Sequence, residues 1–558
     1  MVSWAAWVLT GAMAAAPPPR AQVVPSLVKV RPGLAPRPAS SEASFTLARG
    51  ECEAVQLVLP ASVKRSELHG PVRLRGAAGS SLELTALRER FLEVKKPSNS
   101  QGGTGLWPDA LVPTSAPATP GAPHVFWLEA CAPASQPAGA YTGQVTWRAD
   151  GVAGVPVPVR IEVEPFTLPA TSSLPTSFGI SLYSIAKGHK LDSAEPQTRA
   201  LLAEYGRMML AHRLSAHGFY MDAPPVRFAR GQADIDFSAY DREVGPFLDG
   251  TALPSGARFT SIDVRDSPQA KSEADRVAYF RAYAAHFREK GWKTPLFYYA
   301  KDEPKAAEAA LVRSQASRVR RAGGIPVLVT SPFDPLFAPS ADILTPTLNC
   351  FFARPGLETC RKVLPLERLR AALPARTEVW WYQSCNSHGC KGSTASDPAV
   401  EAAYRGWASY MADHPAPLNR AMGPLAFRTG IDGELYFDTV YAFNTQDPWK
   451  SIFEFGGNGD GTLFYPGTPA QLGGARHAPV ASLRLKHIRD GLEDYEYLKL
   501  LRDAGEDAFA GAAAARLVRS GYDIELNLAT WASVRREMTA KLRAHANAAP
   551  ANMRPVAP

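Results

Sequence analysis

The 558-residue sequence lacks an apolar run long enough to cross a bilayer. Its run Trp4 to Ala16 falls short of the ~20 residues a spanning helix needs, and no later segment reaches that length. An integral membrane segment is therefore excluded. The short run contains the small-residue site Ala12-Met13-Ala14 and has the form of a secretory signal over residues 1–16, although no Lys or Arg precedes it. No cysteine lies nearby to take a lipid, so a secreted or periplasmic protein is expected. Clustered basic charge is missing too: the net charge of +8, from 61 Lys and Arg against 53 Asp and Glu, is dispersed, which argues against a nucleic-acid partner. Cysteine is scarce, with six residues at 52, 131, 350, 360, 385 and 390. An even count in an exported chain points to disulfides, with Cys385 bridged to Cys390 or one of them to Cys350 or Cys360. The cluster Cys385-Asn-Ser-His388-Gly-Cys390 matches no familiar zinc spacing, and neither a metal nor an organic cofactor is expected.

What the chain does have is length for two or three domains and, at 46% apolar residues, material for sizeable cores. Residues 17–40 are proline-rich and read as a leader. From 41 to 168 about seven short β-type runs follow, separated by turn signals such as Asp150-Gly151, the pattern of a β-sandwich. Within this region the Gly/Pro-rich stretch from Lys96 to Pro123 reads as a long loop. From 175 to 505 the rhythm becomes strand, helix, strand, with eight strand candidates, which points to a (β/α)8 TIM-like barrel. Residues 506–558 read as a helical extension ending in a disordered Pro/Ala tail.

The fourth strand candidate, Leu296 to Ala300, runs on into Lys301-Asp302-Glu303-Pro304 and then a helical pattern. Barrel enzymes carry acid/base groups where strands end, so Asp302 and Glu303 are the candidate catalytic residues. Neighbouring side chains on a strand point to opposite faces, so both carboxylates reach one pocket only if the strand is already breaking there. Pro304 favours that break, because it has no N–H to extend a ladder. The competing reading is structural, with Asp302 capping the helix and Glu303 solvated. Other candidates gather at strand ends. Tyr299 closes strand four, and Trp380-Trp381-Tyr382 close strand seven, where Trp381 and Tyr382 are candidate platforms for a sugar face. Tyr436 and Asp438 belong to strand eight, His388 lies in the loop after strand seven, and Arg484 opens the last barrel helix.

Several segments in order carry a family resemblance. They are Gly139-Ala-Tyr-Thr-Gly143, Leu174-Pro-Thr-Ser-Phe-Gly179, Asp302-Glu303-Pro304, Trp380-Trp381-Tyr382, Gly433-Glu-Leu-Tyr436, Asp447-Pro-Trp449, Gly459-Asp-Gly461 to Tyr465-Pro-Gly467, and Arg489-Asp-Gly491 to Glu493-Asp-Tyr495. Over residues 40–505 the chain resembles glycoside hydrolase family 123 and the related exported proteins grouped as domain of unknown function 4091. The resemblance implies a β-sandwich, a catalytic barrel, and release of terminal β-linked N-acetylhexosamine, GalNAc in particular, from a glycan or glycoconjugate. It also implies roles. Asp302 orients the substrate's 2-acetamido group, whose oxygen attacks the anomeric carbon, while Glu303 protonates the leaving oxygen and then activates water. An ordinary retaining pair stands about 5 to 5.5 Å apart across the sugar, whereas adjacent residues approach from one side, which agrees with a nucleophile supplied by the substrate. The chain departs from the pattern at Phe437, where many relatives carry Trp. The alternative function is a carbohydrate-binding or surface-scaffold protein that keeps the fold without turnover.

Overall fold

A computed structural model describes residues 18–548 apart from 358, 359, 361, 362 and 391–397, so the signal reading and the end of the tail lie outside the described residues. The N-terminal region forms a nine-stranded mixed sheet. Along its hydrogen-bonded path the strands run Gln22–Pro25, Glu51–Val58, Val125–Ala132, Ser81–Val94, Val72–Arg75, Gly139–Val145, Val157–Thr167 and Ala43–Arg49, and Gly105–Pro113 adds to Ser81–Val94. The last two strands of the path are parallel and the other pairs antiparallel. The sequence pointed to two stacked sheets, and the observed form is one continuous path. Its inward residues from opposite ends, Leu47 and Leu57, nevertheless enter one core with Leu84, Phe126 and Ile161, and Ala43–Arg49 lies against Val125–Ala132 five places away. Alternation explains the burial: in Val157–Thr167 the inward positions are Val157, Val159, Ile161 and Val163. Asp150 and Gly151, at φ +49° and +83°, make the hairpin turn expected of that dipeptide.

Two strands of the nine-stranded sheet arise where none was expected. Gln22–Pro25 lies in the segment read as a leader and pairs with Glu51–Val58. Gly105–Pro113 lies in the segment read as a loop, and its Pro108 sits at a register shift opposite Phe91, a place where a strand tolerates a missing N–H.

The second region is a nearly closed parallel barrel. Its strands are β1 (Thr176–Gly179), β2 (Ala216–His217), β3 (Ile262–Val264), β4 (Leu296–Asp302), β5 (Val327–Thr330), β6 (Ile343–Leu344), β7 (Glu378–Tyr382) and β8 (Gly433–Tyr436). Their order is β2-β1-β8-β7-β6-β5-β4-β3. No ladder joins β2 to β3. Side chains bridge the gap instead: Ser215 and Thr260 hydroxyls lie 2.8 Å apart, and the Gly218 N–H reaches Asp263 Oδ1 at 2.8 Å. Helices α1 (Pro196–Ala211), α2 (Glu273–Glu289), α3 (Ala309–Gly323), α4 (Leu366–Ala372) and α5 (Met422–Thr429) cover the outside, while β5 and β6 are joined through only a 3-10 turn. A short helix, Pro398–Ala403, follows β7, and Gly406 at φ +83° turns the chain beyond it. Helix α6 (Leu483–Asp503) follows β8, and α7 (Leu528–Ala548) closes the described chain.

Helix α6 is buried on nearly every side, charged residues included. Its charges point across to the N-terminal sheet. Arg484 donates to both carboxylate oxygens of Asp109 at 2.8 and 2.9 Å with neither side chain exposed. Glu129 accepts Lys486 and Arg489 at 2.8 and 2.7 Å. Glu493 accepts the Cys52 N–H, and Tyr497 donates to Glu51 at 2.7 Å. Burial alone would raise the Asp109 carboxyl, but Arg484 beside it more than offsets this and holds it below the usual carboxylate range. Arg484 therefore fastens two regions and does not reach the rim as the sequence reading had it.

Replacing Asp109 by Asn leaves the Arg484 charge buried without its counter-ion, and should lower unfolding stability by about 3–5 kcal/mol. The exposed Arg516–Glu537 pair serves as the control. Glu537→Gln should cost less than about 1 kcal/mol, and denaturant unfolding of both variants measures the difference. The cysteines pair as Cys52–Cys131, Cys350–Cys360 and Cys385–Cys390, so alkylation without reduction should add no mass to the protein.

Candidate active site

Strand β4 alternates as a barrel strand must. Phe297 and Tyr299 face the lumen with Leu328, Ile343, Trp380, Tyr382 and Leu435, while Tyr298 and Ala300 pack outward against the helices. Continued to its end, that alternation would turn Asp302 outward. The register shifts between Tyr299 and Lys301, however, so that Asp302 pairs with Thr330 of β5, whose own alternation with Leu328 faces inward. An extra residue in a strand re-aims every side chain beyond it, and here it carries Asp302 to the lumen. Glu303 then adopts φ +41°, a left-handed conformation costly for a residue with a Cβ. That turn ends the strand and leaves both carboxylates exposed on one rim. Strain of this kind persists where the surroundings hold it and is concentrated at functional sites.

Each carboxylate has its own donors. Asp302 Oδ1 accepts the Tyr299 and Thr330 hydroxyls at 2.9 and 2.8 Å. The Thr330 oxygen in turn accepts the Glu303 N–H at 3.0 Å, tying the two acids to one side chain. Glu303 Oε1 accepts the Tyr382 hydroxyl from β7 at 2.5 Å. Burial first, then the charge of the neighbouring carboxylate, pushes Tyr299 and Tyr382 well above the usual tyrosine range, so both phenols keep their protons and donate. His217, from the end of β2, stands edge-on to Tyr299 with ring centroids 6.0 Å apart and Nδ1 3.0 Å from Ser177 Oγ. Burial lowers its pKa and favours the neutral imidazole.

The structure thus brings Tyr299 and Tyr382 together with Asp302 and Glu303 and sends other candidates elsewhere. Trp381 points outward and packs on Phe351 with centroids 5.8 Å apart. Its neighbour Trp380 takes the lumen position, over a Gly433 whose Cβ would lie 2.4 Å from the indole. Tyr436 is buried behind the barrel wall, donating to Asp460 at 3.2 Å and accepting the Gly461 N–H at 2.7 Å. His388 is fully buried beneath its loop against Trp407, and burial takes its pKa to about 3. The sulfurs of that loop are paired, which removes the thiolates zinc would need. Asp438 lies half-buried after β8, accepts the Val440 N–H at 2.8 Å, and is pushed up to about 7 by burial. Sequence reasoning missed Thr330 and His217. Each ends a β-run, and only the barrel register sets them beside β4.

A cavity of about 1610 Å³ opens elsewhere, between the N-terminal sheet and α7, and none of its lining residues belongs to this rim.

The fold and rim define a class: a parallel barrel behind an N-terminal β-sheet region, with paired carboxylates after the fourth barrel strand. No family model and no curated protein matches the sequence. Among solved structures, the chain is similar to a family 123 glycoside hydrolase from Clostridium perfringens, studied for its hydrolysis of glycolipid glycans. The match has a TM-score of 0.65 and 12% identity over 95% of this chain and 99% of that one, a likeness of fold. A GH5 xyloglucanase from Bacteroides ovatus aligns over 81% of this chain and 98% of its own at 11% identity, but its TM-score of 0.30 carries no argument.

Because the turn at residue 303 is left-handed, glycine suits it better than alanine. Glu303→Gly should be more stable than Glu303→Ala by about 1 kcal/mol in urea unfolding, the reverse of the order in a regular strand. Equal or reversed stabilities would mean that the backbone there is extended.

Proposed function

We propose that the chain is an exported glycoside hydrolase of the family 123 kind, with a β-sheet domain at 41–168, extended by the strand Gln22–Pro25, and a catalytic barrel at 175–505. Its substrate is a glycan ending in β-linked N-acetylhexosamine, GalNAc in particular. The observation that carries this reading is the pair at the end of β4. A register shift and a left-handed residue turn adjacent carboxylates onto one rim, and each is oriented by a different tyrosine. Adjacent residues cannot stand on opposite faces of a sugar ring, as a nucleophile and an acid/base of the common retaining kind do. This arrangement favours a nucleophile supplied by the substrate.

In this mechanism Asp302 accepts the acetamido N–H and polarises the amide, whose carbonyl oxygen attacks the anomeric carbon as the glycosidic bond breaks. Glu303 gives its proton to the departing oxygen, leaving a bicyclic oxazolinium ion on the sugar. Glu303, now a carboxylate, takes a proton from water as that water opens the ring at the anomeric carbon. Two inversions return the β configuration. Three disulfides and the signal-like start support export.

Glu303→Gln should lower turnover of 4-nitrophenyl N-acetyl-β-galactosaminide by ~10² to 10⁴-fold, the usual worth of a positioned proton donor. The loss in the first step should be smaller with better leaving groups. Asp302→Asn should be impaired to a similar degree, a GalNAc-thiazoline should inhibit, and proton NMR of the first-formed sugar should show the β anomer. An inverted product, or full activity on β-galactosides without the acetamido group, would sink the substrate-assisted mechanism.

A further inference from the structure

The β2–β3 side of the same rim carries a second device. Asp263 faces the lumen from β3 with its side chain 3% exposed, and Arg265, two residues on, has the same parity and stands above it. One Asp263 oxygen accepts the Gly218 N–H at 2.8 Å, and the other accepts Arg265 Nε–H at 3.1 Å. The guanidinium is therefore aimed by a buried carboxylate through Nε alone. Its two terminal nitrogens make no hydrogen bond or ion pair with the described residues. Two nearby cations are paired by contrast: Lys301 with Glu308 at 3.1 Å and Arg318 with Glu273 at 2.8 Å. Gly218 leaves the guanidinium its place, since a Cβ there would lie 3.3 Å from Arg265 Nη2. Next to that glycine, His217 has Nδ1 engaged by Ser177, and its Nε2 has no partner among the described residues. The His217 ring stands edge-on to Tyr299, the donor to Asp302, and lies within electrostatic reach of Asp263, Arg265 and Asp302.

We propose that Arg265, with His217 beside it, forms an anion-binding subsite next to the carboxylate pair, which takes a carboxylate or sulfate carried by the substrate. A planar guanidinium with its terminal N–H groups free matches either group through two parallel hydrogen bonds. The adjacent carboxylates of the rim would otherwise repel an acidic glycan, and Arg265 supplies the opposite sign beside them. The subsite deepens the glycosidase reading and rests on it for the statement that the anion belongs to a glycan.

The test compares wild type with Arg265→Met and Arg265→Lys on three substrates: 4-nitrophenyl N-acetyl-β-galactosaminide, its 6-sulfate, and GalNAc β-linked to a glucuronate. The sulfated arm reads an anion on the cleaved sugar, and the glucuronate arm reads one on its neighbour. In one arm the wild-type kcat/KM ratio of acidic to neutral substrate should fall at least about tenfold in Arg265→Met, since a hydrogen bond to a charged group is worth ~1.5–3 kcal/mol. Arg265→Lys should fall between them. A ratio that is the same in wild type and Arg265→Met in both arms overturns the subsite. If wild type cleaves none of the three, the glycosidase reading fails, and calorimetric titration with the sulfated glycoside decides the subsite separately. Binding weakened at least about tenfold in Arg265→Met upholds it, and equal or absent binding to wild type and variant overturns it.

Discussion

The buried ion pairing between α6 and the N-terminal sheet is the constraint on which the rest of this structure depends. Arg484 and Asp109 meet with neither side chain exposed, and Glu129, Glu51 and the Cys52 backbone take further partners from the same helix. Buried pairs recover little of the cost of leaving water, so they are poor evidence for stability as such. Their effect is on geometry. A charge that finds its partner in only one arrangement leaves the two regions a single way to dock, and α6 packs directly against α5 of the barrel wall. The turn that leads into the strand carrying Asp109 also sends Ser98 and Asn99 to Asp413 and to the Gly389 carbonyl, tying the sheet to the segment behind β7.

From that segment the constraint reaches the rim. The Cys385–Cys390 bridge closes a loop that begins three residues after Tyr382, the donor to Glu303. Asp460 accepts the Cys385 N–H at 3.1 Å and the Tyr436 hydroxyl at 3.2 Å, joining this loop to the end of β8. Tyr436 thus takes part through position, as a strut behind the wall, and not by facing a ligand. The carboxylates themselves stand in the open, on a bulge and a left-handed turn that local propensity would not choose. Rigid surroundings and a strained, exposed pair are two aspects of one arrangement, because strain is kept only where its surroundings cannot yield.

The sequence by itself determined the large divisions and the chemistry on offer. Eight strand runs alternating with helical patterns pointed to a barrel, and the adjacent acids at the end of the fourth run marked its rim. Cysteine count and spacing anticipated the Cys385–Cys390 bridge as one of the open pairings. Periodicity could not see across the chain. Gln22–Pro25 and Gly105–Pro113 become strands because a neighbour's edge offers them partners, against their proline content.

Which side chains meet was left to tertiary structure. Trp381 and Trp380 are the same residue type on adjacent positions, and only the barrel's register decides that the second faces the lumen and the first the helices. Arg484 reads as a rim cation until Asp109 arrives from 375 residues away and buries it. Above all, one extra residue in β4, paired against β5, turns Asp302 inward. A bulge exists only between two strands, so no single stretch of sequence contains it.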